Sequence, residues 1–160
     1  MKRAKNGIVS FDISSVSTGW SYLVRKNLKK FGVIQPPKNF STAQKLYYFD
    51  NVVKSILKMC KPSHVVVEEA YLKNVKTLKN LMQFAGIVTL NCINILKIEP
   101  FFVGTLTVRS KFRVRSKEEA FELIKALYEP MLADYDFEKG NDITDSILQA
   151  LYYYEFVLKG

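Results

Sequence analysis

Four carboxylates stand at the ends of apolar runs. Asp12 follows Gly7-Ile8-Val9-Ser10-Phe11, Glu68 follows His64-Val65-Val66-Val67, and Asp142 and Asp145 precede Ile147-Leu148. A charge beside buried apolar residues is costly unless something pairs with it. The i,i+3 spacing of Asp142 and Asp145 puts both on one face of a helix. With Asn141 or Asp142 opening that helix, both would sit on its first turn. Each acid also has an ordinary use: a helix cap or first-turn acid for Asp142 and Asp145, a strand end for Glu68 or Glu69, a turn for Asp12. Gathered together they would repel, and a divalent cation would remove the repulsion. An all-oxygen donor set selects Mg²⁺, with Mn²⁺ able to substitute. Two such ions suit phosphodiester hydrolysis, one acidifying the attacking water and the other stabilising the departing oxygen.

Other hydrolytic chemistries lack their residues. The chain has one histidine, His64, and two isolated cysteines, Cys60 and Cys92, so a zinc site lacks ligands, and a single histidine just before an apolar strand argues against a Ser-His-Asp or Cys-His nucleophile. The apolar stretch from Phe84 to Ile98 is broken by Asn91, Asn94 and Lys97, too short and too polar for a membrane span. The basic Met1-Lys2-Arg3-Ala4-Lys5 leads straight into a strand-like segment without an apolar signal core, which predicts a reducing, cytoplasmic location, that of a bacterial host if the source is a phage.

The elements that must position the acids follow from periodicity. At 160 residues, 48% of them hydrophobic, the chain predicts a single domain over 1–160 with one sizeable core. Gly7–Ile13, Gly19–Val24 and Phe31–Ile34 read as three opening strands, the first two as hairpin partners. Ser41 or Thr42 caps a helix through Leu46, Phe49, Val52, Val53, Ile56 and Leu57, and Pro62 closes it. His64–Glu68 has the β-branched run of a central strand. A helical pattern then runs from about Asn74 to Lys97, with Val75, Leu78, Leu81, Met82, Ala85 and Val88 inward. Phe101–Val103 supplies a last strand, Ser116 begins a helix stopped by Pro130, and the acid pair lies on the final helix. The order βββαβαβαα predicts a mixed five-stranded α/β sheet in three layers. Asp12 and Glu68 would end neighbouring central strands, where sites gather in such sheets.

Charge points to the substrate class. Lys and Arg number 24 against 15 Asp and Glu, a formal net charge of +9. Arg109, Lys111, Arg113, Arg115 and Lys117 alternate, which on an extended segment would form a phosphate-binding stripe. Lys73, Lys76 and Lys79 could hold a second backbone. Tyr71, just beyond the Glu68 strand, could stack on an unpaired base. Tyr152-Tyr153-Tyr154 and Phe156 read as packing on the core or on a partner subunit.

The motifs also resemble a known family. Asp12-Ile13-Ser14-Ser15-Val16-Ser17-Thr18-Gly19-Trp20 is similar to the opening motif of RuvC-type Holliday junction resolvases, an Asp on the first strand before a Thr-Gly-aromatic turn. Val65-Val66-Val67-Glu68-Glu69-Ala70-Tyr71 resembles the family's strand-end Glu followed three residues later by an aromatic, which singles out Glu68 over Glu69. Asn141-Asp142-Ile143-Thr144-Asp145 resembles its last helix, with two acidic ligands three apart. The resemblance implies a ribonuclease-H-like fold and a homodimer that nicks two strands of a four-way DNA junction. It further implies a base-wedge role for Tyr71 and places Arg109 and Lys117 near the scissile phosphate. Ile13-Ser14 replaces the family's Pro-Gly, and its Gly-x-Gly loop before the third helix is absent. Those departures look like the phage members, which cut branched DNA more broadly. A ribonuclease acting on RNA or RNA–DNA hybrids, or a non-catalytic branched-DNA-binding protein, would share parts of this pattern. The Asp12–Gly19 phrase also resembles the phosphate loop of sugar kinases and actin-like ATPases, whose second domain has no counterpart in the predicted elements.

Overall fold

The computed structural model describes residues 5–69 and 74–160, so the expectations for Tyr71 and Lys73 lie outside the described residues. Strands β1 (Gly7–Asp12), β2 (Thr18–Val24) and β3 (Asn27–Ile34) form an antiparallel meander. The third strand starts earlier than its apolar residues suggest, because Arg25 adopts a left-handed φ of 58° and closes a tight turn in which Val24 pairs with Asn27. Strands β4 (His64–Glu68) and β5 (Phe101–Val103) add in parallel on the other side of β1, giving the order β3-β2-β1-β4-β5. This is the mixed five-stranded sheet expected.

Helices α1 (Thr42–Cys60) and α2 (Val75–Asn91) cover one sheet face. Ser41 caps α1 through a reciprocal capping box with Gln44. A π-helical turn, Cys92–Leu96, continues α2 and ends at Lys97, whose φ is 57°. On α2 the inward positions are Phe84 and Val88, whereas Val75 and Met82, expected inside, are 61% and 60% exposed. The apolar stripe on this helix is wider than its contact with the sheet, and Phe84 takes the core position by packing edge-on against Phe49 at 4.9 Å. Cys60 and Cys92 are free thiols buried in this layer, and burial pushes their pKa values up to about 11 and about 12. They are therefore protonated and unreactive at neutral pH.

The other face carries α3 (Thr105–Phe112), α4 (Lys117–Leu127) and α5 (Phe137–Tyr152). Two expectations are corrected here. The segment with alternating basic residues is not extended: 105–112 is helical, and Arg113 ends it in a left-handed cap with φ 58°. Val108 and Phe112, four apart, pack against the core of this layer, and that helical period overrides the period-two alternation of the charges. Basic residues in the last turn also suit the negative end of the helix dipole. Secondly, α5 begins well before Asn141. Asp136 is its N-cap and accepts from the Lys139 N–H at 2.9 Å. Asp142 and Asp145 therefore lie inside the helix, away from its dipole, and capping does not account for them. Beyond α5, a π-helical segment, Tyr153–Leu158, buries Tyr153 and Tyr154, and the Tyr153 hydroxyl is 3.1 Å from His64 Nδ1. Among the described residues no helix is long and apolar enough to cross a membrane.

Candidate active site

Strand alternation decides where the acids point. On β1, Val9 and Phe11 enter the layer of α1 and α2, while Ile8 enters the layer of α5, so Ser10 and Asp12 share that second face. On β4, Val65 and Val67 face α1 and α2, and Val66 faces α5, so Glu68 does too. The parallel register pairs Phe11 with Val67, which sets Asp12 and Glu68 side by side at the carboxyl ends of neighbouring strands. Glu69, on the opposite alternation, is exposed and lines a groove toward α2. Glu68 also borders that groove, but of the two glutamates only Glu68 lines the cavity with Thr105, Arg109 and Asp145.

Helix α5 delivers the other two acids by close approach. Gly19 pairs with Asp12 across the β1–β2 ladder, and a Cβ built on Gly19 would lie 2.1 Å from the Asp142 carbonyl oxygen. Only glycine lets the helix backbone rest there. Deeper along the helix, the buried Ser10 hydroxyl donates to Gln149 Oε1 at 3.1 Å. Thr18, buried at the start of β2, closes the intervening turn: its hydroxyl donates to the Ser14 carbonyl at 3.1 Å and accepts from the Ser14 N–H at 3.2 Å. The Thr-Gly pair of the motif thus shapes the turn and seats the helix.

The electrostatics are those of crowded, buried acids. Burial, followed by a side-chain hydrogen bond with Glu68 and by the charges of Glu68 and Asp145, holds the Asp12 carboxyl well above the usual range. Burial likewise lifts Asp145 to about 6, against the opposing charges of Lys117 and Arg109. Lys117 Nζ lies 3.4 Å from Asp142 Oδ1 and 3.3 Å from Asp145 Oδ2. Burial alone would lower the Lys117 pKa, but Asp145, Asp12 and Asp142 outweigh it and raise it. Arg109, on the inward face of α3, lines a small cavity with Glu68, Thr105, Asp145 and Gln149, and its Nε is buried without a hydrogen-bond partner among the described residues.

Of the five alternating cations, two therefore reach the acids. Lys111 instead lies 5.4 Å over the Phe156 ring, Arg113 caps α3, and the Arg115 N–H donates to Glu119 Oε2; all three side chains are exposed. They form a basic rim, not a stripe. Lys76 and Lys79 are exposed on α2 as expected.

The donor set fits a hard divalent cation, since Asp12, Glu68, Asp142 and Asp145 are all carboxylates, with Asp12 and Asp145 buried among them. They are not a ready-made cage. Among the described residues no three acidic, histidine or cysteine side chains converge to hold one ion, and the Lys117 ammonium neutralises Asp142 and Asp145 instead. One participant had no place in the motif reading: the Thr105 hydroxyl donates to Glu68 Oε1. The available signal was a hydroxyl residue directly after the β5 strand, at the first position of a helix.

A mixed sheet in this order, layered between helices with acids at the ends of its two central parallel strands, is a ribonuclease-H-like fold. Within that class the chain is similar to RuvC in structure and in sequence. It superposes on Thermus thermophilus RuvC bound to a Holliday junction substrate with a TM-score of 0.80, at 14% identity and covering 96% of both chains. Thermus thermophilus RuvC alone gives 0.78, and the yeast mitochondrial Holliday junction resolvase Ydc2 gives 0.64 at 13% identity, covering 96% of this chain and 79% of Ydc2. In sequence, 88 residues are 31% identical to the crossover junction endodeoxyribonuclease RuvC of Dictyoglomus thermophilum and 27% identical to that of Dictyoglomus turgidum, covering 52% of this chain. The chain spans about half the length of these curated relatives, 56% of each. No family model matches it.

Proposed function

We propose that the protein is a metal-dependent, structure-selective DNA endonuclease, a compact phage-like relative of RuvC that resolves four-way junctions and other branched DNA. The observation that carries this reading is the gathering of Asp12, Glu68, Asp142 and Asp145, from two strands and one helix, beside Arg109 and Lys117. The four acids would hold Mg²⁺, two ions per site, with Mn²⁺ able to substitute. Bound there, the metal supplies an acidified water and Lewis-acid stabilisation of the leaving oxygen. Arg109 and Lys117, half-buried beside the acids, balance negative charge that develops on the scissile phosphate. Lys76, Lys111, Arg113 and Arg115 would contact phosphates further out, making affinity fall with salt.

Cleavage of a labelled four-way junction, with linear duplex, Y-fork and RNA–DNA hybrid alongside, tests the reading. Wild type is expected to make metal-dependent paired nicks near the branch, absent in EDTA and in Asp12→Asn. Cutting of hybrids alone would move the assignment to a ribonuclease, and tight junction binding without cleavage in any metal would leave a binding module.

Paired nicking calls for a homodimer, and the exposed face of α2 supports one. Val75, Met82 and Leu90 are each about 60% exposed, and Met82 borders a groove of about 420 Å³ that reaches Phe102 and Ile13. Exposed apolar area of this kind marks an interaction surface, and on this reading it would receive a second copy. Met82→Glu is expected to weaken dimerisation at least about 10-fold in sedimentation equilibrium, the loss of one buried apolar anchor. An unchanged self-association constant would place the interface elsewhere.

A further inference from the structure

Glu68 is held from two sides. Asp12 lies beside it at the carboxyl end of the neighbouring strand, and the Thr105 hydroxyl donates to its Oε1 from across the β5–α3 junction. The local fold leaves that hydroxyl little choice. Val103 is the ladder partner of Glu68, the Glu69 N–H donates to the Val103 carbonyl at 2.8 Å, and Gly104 is the extended N-cap of α3. Thr105 therefore enters α3 directly opposite the carboxylate. No side chain caps α3, so the hydroxyl residue at this helix start serves Glu68 in place of the helix. One turn later Arg109 presents itself on the same face, toward Asp145. With Val108 only 2% exposed, the helix carrying both groups is anchored in the core.

We propose that Thr105 is a positioning residue for this site: its hydroxyl orients the Glu68 carboxylate beside Asp12 and thereby strengthens binding of a divalent cation. The inference rests on the metal-site reading above. Carboxylates that ligate metals are in general oriented by outer hydrogen bonds, whose loss typically costs 10–100-fold in metal affinity. Neither the acid pattern nor the basic rim contains Thr105, and its effect is separable from DNA contact because the hydroxyl is turned to Glu68.

Calorimetric titration of the full chain with Ca²⁺, in the absence of DNA, reads this directly. Thr105→Val is expected to bind about 10-fold more weakly than wild type, with an unchanged melting temperature in EDTA, and Thr105→Ser to bind as wild type does. Wild-type affinity in Thr105→Val would overturn the role of Thr105 while leaving the metal site standing. No saturable binding by wild type, or equal binding by wild type and Asp12→Asn, would overturn the metal site and this inference with it. If valine perturbs folding, Thr105→Ala against Thr105→Ser gives the same comparison, since those two differ by a single hydroxyl. Equal affinities in that pair would also overturn the proposal.

Discussion

Asp145→Asn is expected to bind a labelled four-way junction as tightly as wild type and to cut it about 10³-fold more slowly, the scale of losing one centre of charge stabilisation in a water-poor site. The substitution keeps the shape of a side chain on the third turn of α5 and removes only its charge. On the function proposed above, binding would draw on the exposed cations and so survive. Cleavage at more than a tenth of the wild-type rate would remove Asp145 from the site. The same variant makes a second, opposite change. The folded pKa of Asp145 is raised from 3.8 to about 6, so between those values the native state binds more protons than the unfolded state. Stability from this group is therefore fully present below about 3.8 and lost as pH rises through about 6. At neutral pH the buried charge costs up to about 3 kcal/mol, at roughly 1.4 kcal/mol per pH unit. In EDTA, Asp145→Asn should melt higher than wild type at pH 7, and the gap should close by pH 4. Gain of stability with loss of activity is the signature of a residue retained for chemistry.

Gly19→Ala is expected to destabilise the protein by about 3 kcal/mol or more and to abolish cleavage together with it. Its Cβ would sit 2.1 Å from the Asp142 carbonyl oxygen and 2.7 Å from the Ile143 nitrogen, backbone atoms that no rotamer change can move aside. Overpacking of a fitted core costs about 1–3 kcal/mol, more where the obstacle is main chain. Relief requires α5 to retreat from β2, and α5 carries both Asp142 and Asp145. Urea denaturation with cleavage measured below the transition separates the two effects. A variant of wild-type stability and full activity would show that the helix does not depend on this contact.

The acids and their supporting strands were legible because both depend on short-range rules. The continuous apolar, β-rich runs Gly7–Asp12 and His64–Glu68, without proline, allow little besides a central strand buried on both faces, and strand geometry then assigns every second side chain to one face. The i,i+3 spacing of Asp142 and Asp145 likewise survives any helix boundary, which is why the two share a helix face although the expected helix start was wrong. Segment 105–117 was not legible. Its cations follow a strand period and its Val108 and Phe112 a helical one, and the choice fell to whichever could bury apolar area against α5. The inward expectation for Val75 and Met82 failed on the same ground, since a sequence shows that a helix has an apolar face but not how much of that face the sheet covers.

By itself, then, the sequence determined which carboxylates end apolar elements, the strands that carry two of them and the positive charge around them, because residue type and periodicity are local properties. The motif had singled out Glu68 over Glu69, and tertiary structure alone decided that Lys117 sits against Asp142 and Asp145. It also decided that Gly19 is the seat of α5 and that Thr105 holds Glu68 from 37 residues away. Those are contacts between segments distant along the chain. Their existence depends on how layers pack, and packing is settled by summed burial over the whole core, which no local pattern encodes.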